Sequence, residues 1–378
     1  MKILLLGGTG AMGAPLCNLL KEKGHDVTVT SRSNHKQEGI TFIKGNALDI
    51  NFVFQLMKTY HDVVVDFMVR SEEGTKAAMD IILPSCGQYI FLSSSRVFAP
   101  VDINKGKRIT EESPRLLDVC TDDAYKKSHE YAIEKAREEN LFFNSEYKNW
   151  TIIRPTLTYN THRLQFAYGE KEDWLFRVLN GHSIVFPKDM KNVRTSMVFG
   201  DDIAKAISKL IGNDKALGTT VNVVSEEFLT WEEVLNIYKE AIEQKTGLRI
   251  KIVYTEKFSE LTKLLGNFYQ VKYARAVDRA FSNQKLKQLI GHTEFTPIKE
   301  GLTQCINVFL TDRNFRQIDW RRQAYYDKIC HEKIPLQFIP FPRDAITYFC
   351  YRNKLGWALS TYHKFKYKLK NTISFFKQ

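Results

Sequence analysis

The chain opens Met1-Lys2-Ile3-Leu4-Leu5-Leu6-Gly7-Gly8-Thr9-Gly10-Ala11-Met12-Gly13, and the reading of this stretch decides the fold. A short apolar run with no room for a turn predicts a buried parallel strand. Glycines at 7, 10 and 13 follow at once, and a helical pattern covers residues 14–23. Glycine permits the tight strand-to-helix turn and lets backbone N–H groups approach a pyrophosphate with no Cβ in the way. The helix N-terminus behind the loop adds partial positive charge for the same anion. A glycine triplet alone says little. Placed straight after a strand and opening a helix, it predicts a dinucleotide site.

The alternation continues. Residues 26–30, 41–44, 63–68 and 89–92 read as strands, with helical patterns over 52–60 and 73–83. This predicts an α/β chain: a Rossmann-type doubly wound parallel sheet with its ligand at the carboxyl edge. A length of 378 residues is long for one core, so a second lobe is expected. The expected division is a dinucleotide domain over 1–155 with a return near 193–225, and a mainly helical substrate lobe over 156–330 interleaved with it. A linker and a basic amphipathic tail over 331–378 complete it.

An apolar content of 43% suits an ordinary globule. The six cysteines contain no CxxC pair or zinc spacing, which predicts reduced thiols in a cytoplasmic protein and no metal site. Lys2 precedes only four apolar residues before Gly7, so neither a signal peptide nor a membrane span is expected. The net charge of +12 is uneven. Residues 343–378 carry eight Lys/Arg against Asp344, a net +7, which leaves +5 for the rest. The basic signature therefore belongs to the tail and does not by itself indicate nucleic acid.

The end of the second strand chooses between dinucleotides, because an acid there binds a ribose 2′-hydroxyl and a basic residue accommodates a 2′-phosphate. Here Ser31-Arg32-Ser33 follows Thr30 and no acid is present. A hydroxyl and a guanidinium both bond phosphate, which favours NADP over NAD; alternatively Arg32 stacks on the adenine or lies in solvent. Asn46 is placed to bond the adenine edge, and Asp49 to cap the next helix.

Ser93-Ser94-Ser95-Arg96 closes the fifth strand at the ligand edge. A helix predicted over 122–140 then offers two tyrosines: Tyr125 with His129 four residues on, and Tyr131 with Lys135 four residues on. Four residues along a helix share one face. A tyrosine near its usual pKa of about 10 is a poor base at neutral pH, and a lysine one turn away favours the phenolate. Tyr131 with Lys135 meets that need and Tyr125 with His129 does not.

Taken in order, these segments resemble the extended short-chain dehydrogenase/reductases, in the NAD-dependent epimerase/dehydratase family that mostly handles nucleotide sugars. The matches run from Gly7–Gly13 through Ser93–Phe98 and Tyr131-Ala132-Ile133-Glu134-Lys135 with Glu139. They continue with Ile152-Ile153-Arg154-Pro155, Val198 through Ala204, Thr230-Trp231-Glu232-Glu233-Val234 and Ile298-Lys299-Glu300-Gly301-Leu302. The resemblance spans roughly residues 1–312. It implies cofactor contacts at Gly7, Thr9, Gly10, Ala11, Met12, Gly13, Lys135 and Pro155, a substrate-bonding hydroxyl on Ser94, and a homodimer through helices near 73–83 and 122–140. Leu157 stands where many members carry asparagine, and Ser95-Arg96 where dehydratases carry an Asp-Glu pair, which disfavours dehydration.

After Pro155 a polar cluster of Tyr159, Asn160, His162, Arg163 and Gln165 sits where a substrate is expected, alongside Ser95. Arg163 and Arg194 are candidate diphosphate ligands, or loop arginines in solvent. Asp201-Asp202 reads as a helix cap. Beyond 312 the family pattern ends. Pro335, Pro340 and Pro342 predict a linker, and apolar residues recurring between 355 and 376 amid lysines fit a basic helix on an anionic membrane; a helix docked on its own domain or on a dimer partner fits as well. The expected function is an NAD(P)-dependent epimerase or reductase acting on a sugar-like, nucleotide-linked small molecule through Ser94, Tyr131 and Lys135. Two alternatives stay open: a cofactor-bound scaffold or RNA-associated relative without turnover, and a membrane-associated component of polysaccharide assembly.

Overall fold

The computed structural model describes residues 1–361 apart from 265, 267, 358 and 360. Most of the apolar repeat expected between 355 and 376 lies outside the described residues. The opening run forms strand β1 (Lys2–Leu6), an interior strand of a seven-stranded, all-parallel sheet. The other strands are β2 (Asp26–Ser31), β3 (Thr41–Lys44), β4 (His61–Asp66), β5 (Cys86–Leu92), β6 (Trp150–Pro155) and β7 (Thr219–Val223), in the order β7-β6-β5-β4-β1-β2-β3. Strands of such a sheet are apolar on both faces. Ile3 and Leu5 pack with Leu16, Leu20 and Ile203 on one side, and Leu4 and Leu6 with Val53, Met79 and Phe142 on the other.

Helix α1 (Gly13–Glu22) follows β1 directly. Helices α2 (Ile50–Leu56) and α3 (Glu72–Ile82) are capped by Asp49, which accepts from Asn51 N at 2.9 Å, and by Ser71, which accepts from Gly74 N at 3.2 Å. The chain leaves β1 toward β2 on one side and returns to β4 on the other. That reversal opens a crevice at the carboxyl ends of β1 and β4, where ligands of this topology bind.

The helix expected without interruption over 122–140 is broken. A short turn over Asp123–Lys126 ends, and α4 (Tyr131–Phe143) starts afresh. Local side-chain bonds outcompete helix continuation here. Ser128 Oγ donates to the Tyr125 carbonyl at 2.6 Å, and the Glu130 carboxylate accepts from Ala132 N at 2.8 Å as a cap. Helix α5 (Gly200–Leu210) starts at Phe199 with no side-chain cap, so Asp201 and Asp202 lie in its first turn instead of capping it. There they complement the helix dipole, and Asp202 also accepts from Thr296 N at 2.7 Å. A Cβ on Gly200 would stand 2.6 Å from the Ala11 carbonyl oxygen, so glycine lets α5 close onto the glycine loop.

The second lobe is built around α6 (Trp231–Thr246) and α7 (Ile298–Thr311), with Trp174, Phe186, Trp231, Tyr238 and Leu302 in its core. Helices α8 (Trp320–Ile329) and α9 (Pro342–Arg352) pack on each other beyond it. The expected linker is folded: Ile334 and Ile339 are buried with Trp320 and Tyr348. Arg177, fully buried, ties α8 to the lobe through Asp327 and Glu332, both at 2.9 Å. That guanidinium occupies the centre of the His182, Asp327 and Glu332 group, so the acids already have their cation.

Candidate active site

Gly7 ends β1 with φ at +72°, a backbone that favours glycine. Its N–H donates to Thr30 Oγ1 at 2.9 Å, which locks the ends of β1 and β2 together. A Cβ on Gly13 would lie 2.5 Å from the Gly8 carbonyl oxygen, whereas a Cβ on Gly10 would meet nothing within 4 Å. The loop is closed around Gly13 and open at Gly10. No side chain caps α1 at Met12; Ala14 N donates to the Gly10 carbonyl at 3.0 Å and Pro15 has no N–H, which leaves the Gly13 N–H as the first-turn donor for an anion. This cradle fits a dinucleotide pyrophosphate.

At the rim, Ser31 is half-buried and Arg32 exposed, and Ser31 pairs in register with Lys44 on β3. Ser31 and Lys44 are therefore side by side at the ends of β2 and β3, with Arg32 next in the chain. Asn46 Oδ1 accepts from Leu48 N at 3.2 Å, so in this structure it shapes a turn.

A cavity of about 400 Å³ lies between the sheet edge and the second lobe. Met12, Ser94, Ser95, Arg96, Tyr131, Pro155 and Arg163 all face it. Tyr131 is the first residue of α4, carried to the cavity wall by the helix break. The Arg96 guanidinium is ion-paired with Glu130 and stands 5.2 Å from the centre of the Tyr131 ring. Ser94 Oγ accepts from Arg96 N at 3.2 Å and shapes the turn after β5. Ser93 Oγ donates to Glu139 at 2.5 Å, and Arg154 grips the same carboxylate bidentately at 2.7 and 2.8 Å. That buried network fixes the ends of β5 and β6 against α4.

Lys135 lies one turn beyond Tyr131, its Nζ 6.0 Å from the tyrosine ring centre. It is sealed from solvent and donates to Glu138 Oε2 at 2.8 Å. Burial pushes the Glu138 carboxyl above its usual range, and the Lys135 ammonium opposes that shift. The rival pair comes apart. Tyr125 is buried, stacked on Tyr273 and bonded to Glu130, with burial pushing its phenol up, while His129 projects into solvent.

Of the sequence candidates for catalysis and substrate binding, Lys135, Tyr159, Asn160 and Arg194 do not line the cavity. Tyr159 is fully buried and stacks on Phe199 at 5.6 Å, part of the lobe core. Asn160 Oδ1 accepts from His162 N at 3.0 Å and closes a turn. Arg194 reaches outward to Asn104 Oδ1 at 2.9 Å and over Phe228. Proximity to Pro155 in sequence does not carry Tyr159 and Asn160 to the cavity, because the chain turns into the lobe after β6, and Arg194 points away although its neighbours Thr195 and Ser196 line the cavity.

Two other arginines take that place. Arg275 and Arg279 line the cavity, at 8% and 5% exposed, and neither forms an ion pair among the described residues. Arg275 Nη1 and Arg279 Nε are buried without a hydrogen-bond partner. Burial first, and the nearby Arg96 after it, push the guanidinium of Arg275 down to about 9 and that of Arg279 to about 10. Buried cations without a counter-charge are costly, and two of them facing one cavity mark an anion site. Glu170 partly offsets Arg275 and is shared with Arg163 at 3.4 Å.

Residues 3–82 match the model of the NAD dependent epimerase/dehydratase family. The chain is 27% identical over 361 residues to the chloroplast stem-loop binding protein of 41 kDa b of Arabidopsis thaliana, covering 89% of this chain and 86% of that one. Among solved structures it is similar to the Bordetella bronchiseptica enzyme WbmH in complex with NAD+, at 17% identity and a TM-score of 0.62, with 82% of this chain and 99% of that one aligned. It is also similar to the UDP-glucose 4-epimerase of Thermotoga maritima with UDP-glucose, at 18% identity and a TM-score of 0.60, covering 83% and 100%. Residues 3–82 thus match the NAD dependent epimerase/dehydratase family, and the sheet order and second lobe give the whole chain the fold of these solved structures.

Proposed function

We propose that the protein is an NAD(P)-dependent epimerase or reductase of a nucleotide-linked sugar. The observation that carries this reading is one cavity lined by Ser94 and Tyr131 at one part and by the unpaired Arg275 and Arg279 at another. Tyr131 moves a proton at the reacting hydroxyl or ketone, and Ser94 bonds the same oxygen. Lys135 holds the nicotinamide ribose and favours the Tyr131 phenolate. The bound nicotinamide supplies hydride transfer. Arg275 and Arg279, two cations without carboxylates, meet the two negative charges of a diphosphate. The cytoplasmic location and the homodimer implied by the resemblance belong to this proposal, and sedimentation velocity checks the dimer.

The cofactor is proposed to be NADP in preference to NAD, on the grouping of Ser31, Arg32 and Lys44. Calorimetric titration is expected to give tighter binding of NADP, with Arg32→Ala removing most of the difference. Tighter NAD binding by the unmodified protein overturns it.

A second reading is supported by the relative named as a stem-loop binding protein: an RNA-associated family member without turnover. The cavity speaks for the first, since about 400 Å³ is the size of a small-molecule site and RNA stems bind across open surfaces. Titration with UDP-sugars and with an RNA stem-loop separates the two. Sugar-nucleotide binding lost in Arg275→Met supports the enzyme; stem-loop binding without any nucleotide-sugar binding overturns it.

A further inference from the structure

Seventeen large apolar side chains stand exposed among the described residues, and seven of them fall between 336 and 357. Phe338, Phe341 and Trp357 are the most exposed, at 66%, 64% and 69%. Such a concentration marks an interaction surface. Helix α9 buries Tyr348 against α8 and leaves Ile346 and Phe349, three residues apart on one face, in solvent.

The same region gathers positive charge from separate elements. Lys328 at the end of α8 lies near Lys354, Arg352 and Lys263, whose like charges add to partial burial in holding its ammonium below the usual range. None of these four is in an ion pair among the described residues. In sequence, the described residues are followed by 362–378, which contain five lysines and no acid.

Apolar side chains of mixed type beside an unpaired cationic cluster match a lipid interface, where aromatic and aliphatic groups enter the headgroup layer and basic groups meet its charge. A second copy of the chain is a poorer occupant, because a two-fold contact on this face would set the cations against themselves. Nucleic acid would use the cations and rings but leave Leu336, Ile346 and Leu355 without a partner. We propose that the face formed by α9 and the ends of α8 and residues 353–357 docks the protein peripherally on an anionic membrane.

The test is sedimentation of the full chain with vesicles of phosphatidylcholine containing roughly a third phosphatidylglycerol, set against phosphatidylcholine alone. The expected result is binding to the anionic vesicles that weakens steeply as salt rises. Lys328→Gln with Lys354→Gln should lower the partition about thirtyfold, since each basic residue near such a surface contributes about 1 kcal/mol. Trp357→Ser should lower it as well, while Lys58→Gln with Lys299→Gln, remote from the face, should leave it unchanged. Calorimetric cofactor affinity checks that each variant is folded and does not depend on the docking proposal. Equal binding to neutral vesicles, or none to either, overturns the proposal. So does a concentration-dependent dimer abolished by Phe349→Ser, or an RNA complex abolished by the lysine variants without vesicle binding.

Discussion

Tyr131→Phe is expected to lower turnover between about 10²- and 10⁴-fold, the range supplied by one positioned acid–base group, with cofactor affinity unchanged within about twofold. The substitution removes one oxygen. The ring stays, and with it the contact to Arg96 at 5.2 Å, so folding is preserved. Lys135→Met is a poorer test, because it strands the Glu138 carboxylate in a buried site with no counter-charge. Breaking a buried pair in that way costs about 3–5 kcal/mol, so loss of activity would not separate chemistry from stability. Tyr125→Phe serves as the contrast: it loses only the 3.3 Å bond to Glu130 and keeps its stack on Tyr273. Its turnover should stay close to that of the unmodified protein. Steady-state rates for the two variants, with cofactor titrations beside them, decide the matter. If Tyr125→Phe is the inactive protein and Tyr131→Phe is not, the assignment of the proton-transfer group falls.

How far the sequence could be read follows from how local each signal is. The β1–loop–α1 unit is legible because strand, glycines and helix act within thirteen residues, and the later strand–helix alternation repeats the same short-range pattern. The one-turn spacing of Tyr131 and Lys135 is local too, and survives although the helix that carries them begins nine residues later than expected. The break itself was hidden, because Ser128 and Glu130 look like ordinary surface polar residues until their bonds to Tyr125 and Ala132 are seen. The substrate side is where local reading fails. Tyr159, Asn160 and Arg194 lie near strands that reach the cavity, yet the chain carries them into the lobe core, a turn and the outer surface. Arg275 and Arg279 arrive from more than a hundred residues beyond Tyr131, through a π-turn over Val271–Arg275. Their one sequence signal is a four-residue spacing with a single acid, Asp278, between them. That acid accepts from Arg194 N at 2.8 Å and is ion-paired with neither arginine among the described residues.

Arg275→Met should therefore weaken diphosphate binding and stabilise the empty protein at the same time. No carboxylate is ion-paired with this guanidinium, and its Nη1 has no partner, so the folded chain bears a desolvation that Glu170 offsets only in part. Replacing buried ionic groups by apolar side chains of similar volume is often neutral or stabilising by about 1–4 kcal/mol. At the lower end, a rise in thermal midpoint of about 2–4 °C is expected. The bound state behaves oppositely. Removing one partner of a buried charge pair costs about 2–5 kcal/mol, so affinity for uridine diphosphate should fall at least thirtyfold. Arg279→Met should weaken binding similarly but without the gain in stability, because Arg279 also donates to the carbonyls of Ser95 at 3.3 Å and Tyr273 at 2.7 Å. Thermal melts and calorimetry on both variants read the two effects separately. A lower midpoint for Arg275→Met with unchanged diphosphate affinity would make Arg275 a structural residue and remove the main support for a nucleotide-linked substrate.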